Sequence, residues 1–140
     1  MQNMEGKTAL GFDNNLGALI CYAGNILCGL GGLIYSILVI TQDKTNKVPR
    51  FHAFQSVILS IASLIVFLPL GIIMSIVLGV VGAFSGILST LLGLVLGLAF
   101  LVLGLGMLYF VVMAAIKAYN GEIYKIPYVG DYAEKYMNKN

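Results

Sequence analysis

Residues 51–116 read FHAFQSVILSIASLIVFLPLGIIMSIVLGVVGAFSGILSTLLGLVLGLAFLVLGLGMLYFVVMAAI, a run without one Asp, Glu, Lys or Arg. A helix of a water-soluble domain needs a charged outer face, and no such domain carries an uncharged run of roughly sixty-odd residues. Residues 16–40 form a second uncharged apolar run, long enough to cross a bilayer. The chain is therefore expected to be an integral membrane protein with most of its mass in lipid.

The composition agrees. Hydrophobic residues make up 59% of the 140-residue chain and charged ones 10%, against about 25% charged in soluble domains. That length suits one membrane domain or one small subunit. A net charge of +2 is too small to suggest a nucleic-acid partner. The basic residues instead flank the apolar runs, where they can set orientation and meet anionic lipid head groups. Residues 1–15 contain Glu5, Lys7 and Asp13, so they lack the basic start of a signal peptide, and the first apolar run reads as a retained span.

Charge bias suggests the topology. The loop at 41–50 carries Lys44, Lys47 and Arg50, and the tail carries Lys117, Lys125, Lys135 and Lys139. If both are cytoplasmic, an even number of crossings separates them. The reading is an all-α polytopic protein of about three spans, with four as the alternative count. It has an N-terminal segment at 1–15, spans at 16–40, 51–78 and 87–119, a turn at 79–86 where glycines cluster, and an interfacial tail at 120–140. A re-entrant segment within 79–97 is the other way to place that glycine-rich stretch. The N-terminus is expected outside and the C-terminus inside a bacterial cytoplasmic membrane, the latter because no transit peptide is visible.

Small residues recur at helical spacing. Gly17, Cys21, Gly24, Cys28, Gly31 and Tyr35 form one stripe, and Ser75, Gly79, Gly82, Gly86, Ser89, Gly93 and Gly97 form another. Such stripes let helix backbones approach closely in lipid. Gly24, Gly31, Gly82, Gly86, Gly93 and Gly97 are therefore packing positions, against the chain itself, another copy or a larger complex. Cys21 and Cys28 lie two helical turns apart, too far for a mutual disulfide. Pro69 removes one backbone bond in mid-span and is expected to kink it.

Chemistry is scarce. The apolar runs offer Asn25, several serines, Thr90 and Tyr109, but no carboxylate, lysine or arginine to act as base or proton relay. No catalytic residue, metal ligand or cofactor site is expected, and the chain does not read as an enzyme. His52, the lone histidine, sits beside Arg50 and Gln55 and reads as an interfacial anchor. Ser56, Ser60 and Ser63 share a helix face that either lines a wet groove or bonds back to helix carbonyls. In the tail, Tyr124, Tyr128, Tyr132 and Tyr136 recur every four residues, as suits a membrane interface. Pro127 and Gly130 are expected to end any helix before Asp131. Asp131 and Glu134 then cap a short amphipathic helix lying on the cytoplasmic surface.

Two segments carry a family resemblance. Residues 50–55, R-F-H-A-x-Q, and residues 118–130, A-x-x-G-x-x-Y-x-I-P-x-x-G, resemble small bacterial membrane proteins related to the channel-type subunit of the Tic translocon of the chloroplast inner envelope. The resemblance covers about a quarter of the chain. It implies a compact helical membrane domain and a part in protein transport, and brings no catalytic residues. Arg50, His52, Gln55, Tyr124, Pro127 and Gly130 are its motif positions, expected to form one cytoplasmic cap. The function expected is a structural or accessory subunit of a membrane complex or homo-oligomer. The alternative is a pore or translocon component.

Overall fold

A computed structural model describes residues 6–28 and 30–139, with the side chain of Cys28 also outside the described set. The architecture is all-helical: α1 Asn14–Cys28, α2 Gly31–Gln42, α3 Lys47–Phe84, α4 Gly86–Tyr119 and α5 Val129–Lys139. Among the described residues the only β pairing is an isolated bridge between Lys7 and Asp13. The chain divides into two compact units, Met1–Ile61 with Phe110–Asn140, and Ala62–Tyr109.

In the first unit, the expected span at 16–40 is corrected. Its residues fold into two helices, α1 of 15 residues and α2 of 12, each short of the ~20 residues a crossing needs. The break falls at Leu30, in a glycine-rich stretch of sequence, and glycine weakens a helix. The glycines then let α1 and α2 pack antiparallel. A Cβ on Gly24 would stand 2.7 Å from Gly32 Cα, and one on Gly32 would stand 2.5 Å from Asn25 N and 2.6 Å from Cys21 O. One on Gly17 would stand 3.0 Å from the Tyr35 hydroxyl. The small-residue stripe is thus a backbone-to-backbone seam within the chain.

The segment before α1 lies against the loop after α2. The backbone N–H of Ala9 donates to Asp43 Oδ2 at 3.4 Å, and Asn46 Nδ2 donates to the Lys7 carbonyl at 3.1 Å. The three-span reading put these segments on opposite sides of a membrane; they are in contact. Asp43 also accepts from the N–H groups of Thr45 and Asn46, at 3.3 and 3.2 Å, and from Asn46 Nδ2 at 2.9 Å. This aspartate-centred turn delivers the chain into α3. Burial opposes the Asp43 charge, but the bonds from Asn46, Thr45 and Ala9 outweigh it and hold the carboxyl below its ordinary pKa.

At its end α4 closes in a Schellman motif. Gly121 takes φ +75°, its N–H donates to the Ala118 carbonyl at 3.0 Å, and the N–H of Glu122 donates to the Lys117 carbonyl at 2.9 Å. Residues 122–126 continue as a strap without helix. α5 begins at Val129 and not after Gly130, a second correction: the N–H of Gly130 donates to the Ile126 carbonyl at 2.8 Å. Asp131 and Glu134 meet Lys125, at 3.7 and 2.7 Å, where a capping box was expected. Gly130 and Ala133 form the buried face of α5; Tyr128, Tyr132 and Tyr136 are exposed.

The second unit pairs the remainder of α3 with that of α4. The expected turn at 79–86 shrinks to Ser85, the one non-helical residue between the helices. Glycines 79 and 82 stay helical, as glycine can in an apolar span. Ser85 ends the run because its Oγ accepts from the Leu88 N–H at 3.3 Å, an N-cap for α4. Ser89 Oγ donates to the Leu78 carbonyl at 2.9 Å, and the rings of Phe67 and Phe100 meet edge-on at 6.0 Å. α3 continues through Pro69. Leu64, Ile65, Ile76, Leu94, Leu98 and Val102 are all more than half exposed. Both α3 and α4 are long and apolar enough to cross a bilayer, and outward apolar surface on this scale belongs in lipid.

Candidate functional site

One group of polar side chains of the first unit converges where α1, the start of α3 and the strap meet. Tyr22, His52, Gln55 and Ser56 are all fully buried there. Their proton positions follow from the partners. His52 Nε2 lies 2.9 Å from the carbonyl of Glu122, which can only accept, so Nε2 carries the proton. Nδ1 then accepts from the Tyr22 hydroxyl at 3.0 Å. Tyr22 in turn accepts from Gln55 Nε2 at 2.8 Å. The other hydrogen of that amide goes to the Tyr124 carbonyl at 3.1 Å, and Gln55 Oε1 accepts from the Ile126 N–H at 3.1 Å.

A second chain of bonds runs beside the first. Ser56 Oγ donates to the Cys21 carbonyl at 2.7 Å, and Ser60 Oγ donates to the Ser56 carbonyl at 2.8 Å. Asn25 Nδ2 donates to both hydroxyls, at 3.0 and 3.2 Å. Ser56 and Ser60 therefore fasten α3 to α1 through Cys21 and Asn25, while the Ser60 hydroxyl also bonds back to its own helix.

Gly130 seals this cluster. A Cβ there would stand 2.5 Å from Lys125 Cβ, 2.7 Å from Lys125 Cα and 2.9 Å from Gln55 Oε1. Pro127 and Tyr128, the latter with φ +65°, turn the strap into α5 so that Gly130 lands on Gln55. His52, Gln55, the Tyr124 backbone and Gly130 thus come together. Arg50 does not join them: it is buried, its Nε has no hydrogen-bond partner, and its guanidinium lies over the Phe54 ring at 5.7 Å. Among the packing glycines, Gly24 abuts Gly32, Gly82 faces Ser89 and Gly93 faces Leu78, whereas a Cβ on Gly86 or Gly97 meets nothing within 4 Å. Sequence reasoning missed Tyr22, the centre of the network. Its signal was the pair Tyr22 and Asn25, two polar groups three residues apart in an apolar helix.

Residues 13–132 match the family described as the magnetosome magnetite crystal formation protein family, MamF and MmsF. The chain belongs to that family. Two UPF0132 membrane proteins of Methanocaldococcus jannaschii are also similar to it. One is 34% identical over 136 residues, covering 94% of this chain and 94% of the relative. The other is 35% identical over 131 residues, covering 94% of this chain and 75% of the relative. No solved structure matches. These relatives correct the resemblance drawn from R-F-H-A-x-Q and I-P-x-x-G: the family is not that of the Tic translocon subunit, and the role in protein transport that came with the resemblance goes with it. What stands is that this is a small membrane protein.

Proposed function

We propose that this chain is a structural or accessory subunit of a membrane assembly, a homo-oligomer or a larger complex, and not an enzyme. One observation carries the reading. The groups best suited to chemistry, both ring nitrogens of His52, the Tyr22 hydroxyl and the Gln55 amide, are engaged in bonds that fasten helix to helix and helix to strap. Gly79, Gly86, Gly97, Gly104 and Gly106 meet open space, so backbone surface remains for a further helix. The family's description concerns magnetite crystals. Among the described residues no three His, Cys, Asp or Glu stand together, and the reading takes only the membrane setting from the family.

The topology proposed is two crossings, by α3 and α4, with both termini on one side. All eight Lys and Arg residues lie outside residues 51–116, and the positive-inside rule then makes that side cytoplasmic. The test of function is purification of the full chain in mild detergent at native expression level, with mass spectrometry of what stays bound. A stoichiometric set of membrane partners or a discrete oligomer supports the reading. A chain recovered as a partner-free monomer refutes it.

A further inference from the structure

Arg50 is a buried residue that no acidic side chain among the described residues pairs with. Its exposure is 7%, and its Nε finds no hydrogen-bond partner. The ion pairs among the described residues join Lys117 to Glu122 and Lys125 to Asp131 and Glu134, and leave Arg50 out. Asp43, the acidic residue nearest in sequence, already accepts from Ala9, Thr45 and Asn46. His52, two residues on, reaches the strap carbonyl of Glu122; the Arg50 guanidinium lies over the Phe54 ring at 5.7 Å. A buried cation without a counter-charge is strongly unfavourable, and a guanidinium presents donors in a fork shaped for carboxylate or phosphate.

The surroundings say which anion. Lys47, Arg50, Phe54, Ile58 and Ile61 recur at three and four residues, so they share one face of α3. Read along the helix, that face passes from an exposed lysine and the buried arginine to a half-buried ring, a half-buried Ile58 and an exposed Ile61. Charge first and hydrocarbon after is the order of groups in a phospholipid. A free phosphate would use the first two residues and leave the rest without purpose. We propose that Arg50 and Lys47 bind the phosphate of a membrane phospholipid, whose acyl chain lies along Phe54, Ile58 and Ile61.

The test uses the full chain in detergent, stripped of lipid and then offered phosphatidylglycerol in mixed micelles, with native mass spectrometry counting the lipid retained. The wild type keeps one lipid at a concentration where Arg50→Gln keeps about tenfold less. Arg50→Lys falls between, because a point charge replaces a fork. Lys47→Gln, a surface change that preserves the helical circular dichroism, weakens retention several-fold and carries the test if Arg50→Gln does not fold. Millimolar inorganic phosphate leaves the lipid in place. Unchanged retention in both Arg50→Gln and Lys47→Gln overturns the proposal. Displacement by inorganic phosphate overturns the lipid assignment in favour of a free-phosphate site. Glu5 lies outside the described residues; Glu5→Gln leaves retention unchanged, and a gain of lipid in that variant would show an internal counter-ion and overturn the site.

Discussion

Replacing Gln55 with leucine removes the link between α3 and the strap while keeping the side chain's bulk. Three bonds are lost. Tyr22 keeps its donation to His52 and suffers little. The Tyr124 carbonyl, half-buried, loses one donor. The Ile126 N–H is left buried with no acceptor, and an orphaned buried donor costs about 1–3 kcal/mol. Leucine returns roughly 1 kcal/mol through its added apolar surface. With about 0.5–1.5 kcal/mol for the lost Tyr124 bond, the net cost to strap docking is about 0.5–3.5 kcal/mol, and at ~1.4 kcal/mol per factor of ten this is about 2- to 300-fold. The assay is amide hydrogen exchange in detergent, read at Ile126 and Gly130, whose N–H groups close this segment. Both should exchange faster by that factor, while amides of α3 beyond Ile61 keep wild-type rates. Gln55→Glu is the contrasting control: it keeps an acceptor for Ile126 but puts an unpaired carboxylate in a fully buried site facing the Tyr124 carbonyl, so exchange at Ile126 should rise at least as much as in the leucine variant. Protection of Ile126 unchanged from wild type in Gln55→Leu would sink the argument that this amide holds the strap.

Gly130→Ala should destabilise the chain by about 1–3 kcal/mol in denaturant titrations, because its methyl meets the Lys125 backbone as well as Gln55. Gly97→Ala and Gly104→Ala meet nothing, so the monomer fold should hold within about 0.5 kcal/mol; a loss of oligomer in those variants alone, seen by light scattering, would place the partner on that face. Asp43 has a folded pKa below its unfolded value of about 3.9, so its contribution is present above that pH and disappears as pH falls through the lower folded value. The stability gap between wild type and Asp43→Asn should accordingly be constant from pH 7 to 5 and close below about pH 4; a gap that widens on acidification contradicts this. Ser85→Cys, in a variant with Cys21 and Cys28 replaced, should react with an impermeant maleimide from outside whole cells while Lys139→Cys does not; the reverse pattern would invert the proposed orientation.

The membrane class and the helical content were legible because they rest on an uncharged run no soluble fold could expose. The failures share a cause. Residues 16–40 have the length and hydropathy of a span, and hydropathy cannot see that Gly24 and Gly32 invite two short helices to touch backbones. The same blindness put a turn among Gly79, Gly82 and Gly86, where a bilayer-facing helix tolerates glycine and the capping hydroxyl of Ser85 decides the reversal. Glycine spacing was therefore a sound sign of close packing and a poor sign of chain direction. The contact of Ala9 and Lys7 with the Asp43 loop was invisible too, since it depends on α1 and α2 folding back together.

The motif residues show how far a pattern can be trusted. His52, Gln55, Tyr124, Pro127 and Gly130 were singled out together from the sequence, and apart from Arg50 the motif positions meet at one junction. What they do there is mutual: His52 and Gln55 hold the strap by its backbone, and Gly130 fits because a side chain would strike Gln55. Residues engaged in this way report an architecture, and an architecture can serve unrelated tasks. That is why a resemblance resting on them led to a family whose function did not carry over. Arg50 is the exception that the same reasoning isolates: it sits in the motif, yet the junction does not use it. A charged position that no acidic side chain among the described residues pairs with says more about what the protein meets than five positions the fold already explains.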